Sequence, residues 1–221
     1  MSRAARLLAL GFGLCLAASA TVAAGAEGPA GRPLGAFRVT YYFVAEETAA
    51  GNWPLFAPAC RNVLARTSRE FHHAISLEGT GRLRDGRLLN FSERCACARA
   101  GHGGNRICYE EVDPARFPWG KGGKLGGRDL PLHPFRSLAV DPALIRLGRA
   151  LHIPALRGGH WPDGTARDGC FRAEDSGQRI RGRHVDLFAG RPEWAAVLAR
   201  SSPARVLVYA GGAACAYLER E

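Results

Sequence analysis

Three aspartates stand in local sequences that suggest chemistry: Asp141 in Val140-Asp141-Pro142, Asp175 in Asp175-Ser176-Gly177, and Asp186 in His184-Val185-Asp186-Leu187-Phe188. A carboxyl group whose pKa is raised by partial burial or by a neighbouring carboxylate can serve as a general acid, and three such groups converging in one groove would perturb each other in that way. Protonating the leaving oxygen of a glycosidic bond is one reaction open to such a group. Competing chemistries are thinly supported, because the sequence has no G-x-S-x-G elbow, no phosphate-binding glycine loop and no H-E-x-x-H motif. Around the aspartates, Ser176 and Gly177 would border the site, His184 shares the face of Asp186 by the strand period, and Trp161 could stack on a sugar ring. Glu174 and Asp163 are spare carboxylates nearby.

Each of these residues also has an ordinary structural role open to it. Asp141 followed by Pro142 fits a helix N-cap with proline at the first helical position. Asp175 ahead of Ser176-Gly177 fits a turn, its carboxylate taking backbone amides. Asp186 alternates with Val185 and Leu187, so it could be a solvated charge on the outer face of a strand.

The elements that must position these side chains are mostly strands. Phe37–Val44 is rich in aromatic and β-branched residues, His73–Leu77 reads as a further strand, and Arg82–Arg84 and Arg87–Leu89 flank Asp85-Gly86 as a hairpin. Residues 95–131 are rich in cysteine and glycine with little periodicity and read as a long stapled loop carrying Phe117-Pro118-Trp119-Gly120. Asp141 opens one or two helical turns through Leu147; strands follow at Ala150–Pro154, Cys170–Ala173 and His184–Phe188, then a short helix over Pro192–Leu198 and a strand over Ala204–Tyr209. Short strands, few helices and no βαβ alternation indicate a mainly β fold built on a small barrel.

Ala139-Val140-Asp141-Pro142 with Ile145 and Leu147-Gly148, then Asp175-x-Gly177, Ile180, Gly182 and an aspartate eleven residues after Asp175, closely resembles the three-aspartate (3D) domain. That domain is shared by the membrane-bound lytic transglycosylase A family and by small exported bacterial cell-wall proteins. The resemblance spans about residues 134–210 and implies a six-stranded double-psi β-barrel acting on peptidoglycan glycan strands without a cofactor. It further implies that Asp186 is the catalytic acid/base and that Asp175 and Asp141 line the same pocket. A lytic transglycosylase uses the muramoyl C6 hydroxyl as its nucleophile, so one carboxyl suffices and the product carries a 1,6-anhydro ring. A non-catalytic, expansin-like wall-binding barrel is the alternative the resemblance leaves open. Two departures stand out. Gln178 occupies a position that is usually glycine, and only about a hundred residues precede the 3D segment, so a glycan groove that is shallower or absent is expected.

The organisation expected is therefore a signal peptide over 1–26, a flexible lead over 27–36, strands and the Cys-rich region over 37–133, continuous with the barrel, and the 3D domain over 134–221. Arg3 and Arg6, the apolar run Leu7–Ala18 and Ala24-Gly25-Ala26 compose the leader, and that run is shorter than the roughly 20 residues a membrane span needs. Export to the periplasm, the cell wall or the medium would suit the six cysteines downstream, Cys60, Cys95, Cys97, Cys108, Cys170 and Cys215, as three disulfides. A bridge from Cys95 or Cys97 to Cys108 is the favoured local pair. The rival is a zinc site on Cys95, Cys97 and Cys108 with Cys60, His102 or Cys170, disfavoured because Cys-x-Cys is not a structural zinc knuckle; no metal is expected. Among 221 residues, 30 Lys+Arg against 20 Asp+Glu give a net charge of +10, nearly all of the cations being arginine. No nucleic-acid-binding motif accompanies that charge, so no nucleic-acid partner is expected.

Overall fold

The computed structural model describes residues 31–219, and the proposed leader and the first four residues of the lead lie outside them. In chain order the elements are β1 (Arg32–Phe43), β2 (Ala45–Glu46), β3 (Ala50–Phe56), β4 (Val63–Thr67), α1 (Arg69–Glu78), β5 (Thr80–Arg82), β6 (Leu88–Arg94), β7 (Ile107–Val112), β8 (Lys121–Leu125), β9 (Arg128–Pro131), β10 (Ser137–Ala139), β11 (Ala150–His160), β12 (Ala166–Asp175), β13 (His184–Gly190), α2 (Pro192–Ser201) and β14 (Arg205–Ala210). Among the described residues no helix is long and apolar enough to cross a membrane.

Six strands close a barrel in the order β1-β13-β10-β12-β11-β14, as the mainly β reading expects. β1 runs parallel to β13 and antiparallel to β14, and β10 runs parallel to β12. Alternation fills the interior. Val39 on β1, Val185 and Leu187 on β13, and Phe171 and Ala173 on β12 join Phe135, Leu151, Val206 and Val208 in one buried core. Closure removes the exposed edges that a six-stranded open sheet would carry. The barrel is not confined to residues 134–221, because β1 closes it between β13 and β14. Nor is the whole of 27–36 a free lead, because Arg32–Ala36 already pairs with β14.

The region ahead of the 3D segment is a second sheet of six strands, β2-β5-β6-β7-β3-β4, with α1 packed on it. The expected strand over His73–Leu77 is part of α1. Ser68 caps the helix by accepting from the Phe71 amide at 3.1 Å, Gly79 ends it at φ +82°, and Phe71, His72, Ile75 and Ser76 form its buried stripe. Phe71 and Ile75 stand four residues apart, a helical spacing that the short apolar run concealed. The Asp85-Gly86 hairpin is present, with β5 and β6 antiparallel and Gly86 at φ +91°. The expected long loop over 95–131 instead contains β7 and the β8–β9 hairpin, which turns through Gly126-Gly127.

Phe117-Pro118-Trp119-Gly120 belongs to the seam between the two sheets. Phe117 is buried with Tyr42, Val44, Leu88, Leu132 and Phe188, and Trp119 meets Phe188 edge-on at 6.4 Å. Three disulfides close the structure: Cys60–Cys97, Cys95–Cys108 and Cys170–Cys215. The first two staple the second sheet, and the third ties β12 to the C-terminal 3₁₀ turn.

Candidate active site

Strand pairing aligns four residues across the outer face of the barrel. Thr40 on β1 pairs with Asp186 on β13, Asp186 pairs with Ala139 on β10, and Ala139 pairs with Asp175 on β12. Residues paired across neighbouring strands point to the same face, so the row places the two aspartates on either side of an alanine methyl. A larger side chain at Ala139 would fill the space between them.

Hydrogen bonds fix this row. The Thr40 hydroxyl donates to Asp186 Oδ1 at 2.6 Å, and its Oγ1 lies 2.8 Å from His184 Nε2. The Thr40 hydroxyl thus bridges the Asp186 carboxyl and the His184 ring. Tyr42, two residues along β1 from Thr40, donates from its hydroxyl to Asp175 Oδ2 at 3.0 Å, and the Ser176 amide donates to Asp175 Oδ1 at 2.7 Å.

Burial raises both carboxyl groups well above the ordinary range of about 3.8. Asp175 is pushed to about 7 chiefly by burial, with Asp186 and Glu174 adding like charge against the opposing bonds from Ser176 and Tyr42. Asp186 is pushed to about 6 by burial, opposed by the Thr40 hydroxyl and by Arg38. His184 is held below its usual value by burial and by Arg38, against a backbone bond to Arg179. One face thus carries two carboxyl groups able to hold a proton near neutrality.

Asp141 has a different environment. Its Oδ2 accepts from the Gly182 amide at 2.8 Å and its Oδ1 from Ala143 at 3.1 Å, and these two bonds lower its pKa. The helix expected after it is a hydrogen-bonded turn, with Leu144 and Ile145 donating back to the Asp141 carbonyl. Asp141 therefore ties this turn to the loop between β12 and β13 that leads into His184, and it stands outside the hydrogen-bonded row. Ser176 is exposed, and a Cβ on Gly177 would meet Ile180 Cγ1 at 2.8 Å.

Trp161 is not a sugar platform. It is 4% exposed, stacked on Phe135 at 5.1 Å, and covered by Arg167 at 4.4 Å in the barrel core. The spare carboxylates have structural partners: Asp163 caps its own turn through Thr165, and buried Glu174 bonds Ser137 and faces Arg172 at 3.3 Å.

Sequence reasoning missed Thr40, Tyr42, Arg38 and Glu78. A hydroxyl at Thr40 and another at Tyr42, alternating with Val39 and Tyr41, was the visible signal, but nothing local linked them to side chains more than 130 residues away. Glu78, at the end of α1, accepts from the Phe43 amide at 3.1 Å and is pushed to about 8 by burial, with Asp186 adding like charge. β14 pairs with β1 only as far as Arg38, which leaves this side of Phe43 without a strand. Glu78 docks the second sheet onto that free edge.

The β12–β13 loop also reaches the second sheet. Gln178 contacts Arg94, and Arg179 Nη1 lies 3.0 Å from His102 Nε2. The second sheet and the segment after β6 therefore border the loop between Asp175 and His184. A cavity of about 430 Å³ bounded by Glu46, Arg82, Trp119 and Arg191 lies toward the other end of β1 and β13 and contains none of the three aspartates. Its mixed charges are already paired, Glu46 with Arg82 at 3.7 Å and Arg191 with Glu193 at 3.9 Å. The proton-holding carboxyls make the aspartate row the stronger candidate for catalysis.

The 3D domain family model matches residues 136–206, and the chain carries a 3D domain over that stretch. MltA of Escherichia coli, solved with bound chitohexaose, has a similar fold: TM-score 0.54 at 14% identity, covering 80% of this chain and 71% of that one. A membrane-bound lytic murein transglycosylase from Agrobacterium tumefaciens gives 0.52 at 16% identity, covering 80% and 73%. MltA from Neisseria gonorrhoeae gives 0.53 at 14% identity, covering 79% and 72%. At these identities the likeness establishes the fold, a barrel with a second sheet beside it. Comparison with the curated proteins gives no match.

Proposed function

We propose that this chain is exported and cleaves the glycan strands of peptidoglycan as a lytic transglycosylase, with Asp186 as the single acid/base. The observation that carries this reading is a raised, half-buried carboxyl at Asp186, aimed by Thr40 on the barrel face beside Asp175. The lytic transglycosylase fold and the 3D domain support peptidoglycan as the substrate class. The leader-like sequence and three disulfides support an oxidising compartment outside the cytoplasm.

Protonated Asp186 gives its proton to the glycosidic oxygen as the bond from that oxygen to C1 of the muramoyl unit breaks. The C6 hydroxyl of the same unit attacks C1, and the Asp186 carboxylate takes the hydroxyl proton. The 1,6-anhydro ring closes, the leaving sugar keeps a new hydroxyl, and Asp186 is protonated again. Water is not consumed. The raised pKa of Asp186 keeps a useful fraction protonated near pH 6, and Thr40 holds the reacting carboxylate in one rotamer. Protonated Asp175 next to it avoids a second full negative charge on this face.

The test is digestion of purified peptidoglycan and mass spectrometry of the soluble products. Anhydromuropeptides that disappear in Asp186→Asn support the reading; ordinary reducing ends would replace it with hydrolysis. A wall-binding barrel without turnover is the second reading, favoured by exposed Arg179, Arg181 and Arg183 on the β12–β13 loop. It requires salt-sensitive retention on peptidoglycan, no released sugar and no effect of Asp186→Asn.

A further inference from the structure

The two disulfides of the second sheet are not separate staples. The sulfurs of Cys60, Cys95, Cys97 and Cys108 all lie within 4.8 Å of one another. Four thiolates bound to zinc at about 2.3 Å occupy tetrahedral corners about 3.8 Å apart, so only small shifts separate the paired sulfurs from a metal-binding set. We propose that these four cysteines form a structural zinc site when their two disulfides are reduced, so that bridges and metal are interchangeable clamps on the second sheet. The proposal is independent of the catalytic reading.

The backbone that delivers the sulfurs is held by bonds that reduction leaves intact. Cys95 donates from its amide to the Arg106 carbonyl at 3.1 Å, and Arg106 Nη1 donates to the carbonyls of Ala96 at 3.2 Å and Ala98 at 2.9 Å. These bonds shape the Cys95-x-Cys97 loop, and Cys108 is fixed in β7 by its pairing with β6. The 3₁₀ turn bearing Cys60 is anchored by the Ala59 amide on Glu93 Oε1 at 2.6 Å and by Ala57 on the Asn62 carbonyl at 2.9 Å. Ala59 and Cys60 sit at φ +53° and +57°, a left-handed conformation costly for residues with a Cβ. That strain is maintained in the turn that brings the fourth sulfur to the other three.

Access and charge suit the exchange. A cavity of about 290 Å³ opens beside Cys95, bordered by Arg94 and Arg106. Guanidinium groups there favour thiolate over thiol, and they offset the charge of −2 that four thiolates and one zinc ion carry together. Each disulfide takes two electrons and two protons from a dithiol, giving two cysteine thiols and the oxidised dithiol. Zinc then displaces one proton from each of the four thiols, and these protons pass to solvent. A chain that has not yet been oxidised would keep the second sheet clamped by the metal.

The experiment compares oxidised and anaerobically reduced full-length chain in a Cys15→Ser background, titrated with cobalt and then with zinc. The reduced chain should bind one metal ion with the thiolate-to-cobalt charge-transfer bands of a tetrahedral four-sulfur site, and the oxidised chain should show none of these bands. Cys97→Ser should lose that spectrum and bind zinc at least about tenfold more weakly, whereas a Cys170→Ser/Cys215→Ser variant should bind unchanged. If the reduced chain loosens, zinc should restore hydrogen-exchange protection in β6 and β7. Reduced chain that takes up no cobalt, uptake unchanged in Cys97→Ser, or failure of zinc to restore protection would each overturn the proposal.

Discussion

The barrel and the second sheet solve the same problem with different means. The barrel buries a cluster of twenty apolar residues and carries one disulfide, whereas the second sheet buries a cluster of eight and carries two. A small core supplies less burial free energy against the chain entropy lost on folding, so covalent clamps concentrate where packing is thin. The barrel can then bury the Asp175 and Asp186 carboxyls at an energetic cost that its larger core tolerates, while the second sheet contributes Glu78, Arg94 and His102 at its border.

The largest effect that would sharpen this contrast is Asp186→Asn. Loss of a general acid lowers turnover by about 10²–10⁴-fold, and the same change removes a buried ionisable group. The variant should therefore be inactive on peptidoglycan yet more stable than the native chain at pH 8. For native protein, kcat/KM should fall as pH rises through about 6, because Asp186 must start protonated. An active variant, or a profile that rises across that range, would remove Asp186 from the role of acid.

Second in size are the disulfides. Cys95 and Cys108 close a loop of 13 residues, worth about 3 kcal/mol of chain entropy, and Cys170 and Cys215 close one of 45, worth about 4 kcal/mol. Despite its smaller loop, removing the first bridge with paired alanines should free α1, β6 and β7 to exchange amide protons while β12 and β13 stay protected. Removing the barrel bridge should instead lower a single cooperative transition. Simultaneous loss of protection in both sheets would show that the seam around Phe117 and Phe188 couples them into one unit.

How far the sequence could be read follows the same division. Five of the six barrel strands were legible as strand-like runs such as His184–Phe188, the three-residue β10 was not, and the Asp85-Gly86 turn announced its hairpin. Three disulfides, and a local bridge to Cys108 from either Cys95 or Cys97, were within reach of cysteine parity and spacing; only the structure chooses Cys95. α1 was not, because five residues from His73 to Leu77 cannot distinguish a period of 2 from one of 3.6 without Ser68 and Gly79 as ends. Trp161 is open in sequence to both stacking on a sugar and ordinary packing, because an aromatic ring fits both, and the structure selects packing. Its stacking on Phe135 depends on a contact across 26 residues. Of the site, the aspartates were singled out by the resemblance to the 3D domain, and Asp141 falls outside the row; Thr40, Tyr42 and Glu78 act only through strand register and the docking of α1, which no local pattern records.

A smaller effect should appear at Asp175. Its folded pKa of about 7 lies above the unfolded value near 3.8, so the stability tied to its protonated form is complete below about pH 4 and is lost as pH rises through about 7. Asp175→Asn imitates the neutral form. Denaturant unfolding should give similar midpoints for variant and native chain near pH 4 and a gain for the variant on the order of 3 kcal/mol at pH 8. A variant less stable than native at pH 8 would mean that the Tyr42 and Ser176 bonds outweigh the cost of burying the charge.

Gln178 offers the smallest effect and the finest test of how the two sheets cooperate. Its side chain contacts Arg94 across the border, and both residues are exposed. Solvent screens such a contact, so Gln178→Gly should change stability by less than about 0.5 kcal/mol. Glycine would also free the loop that runs from Asp175 to His184, whose far end Asp141 holds at Gly182. On the catalytic reading, that freedom should raise KM for glycan strands by about two- to fivefold with little change in kcat, because the loop borders substrate while Asp186 stays seated on β13. A fall in kcat equal to the fall in kcat/KM would instead place Gln178 against the transition state, and the border between the sheets would then be part of the catalytic machinery.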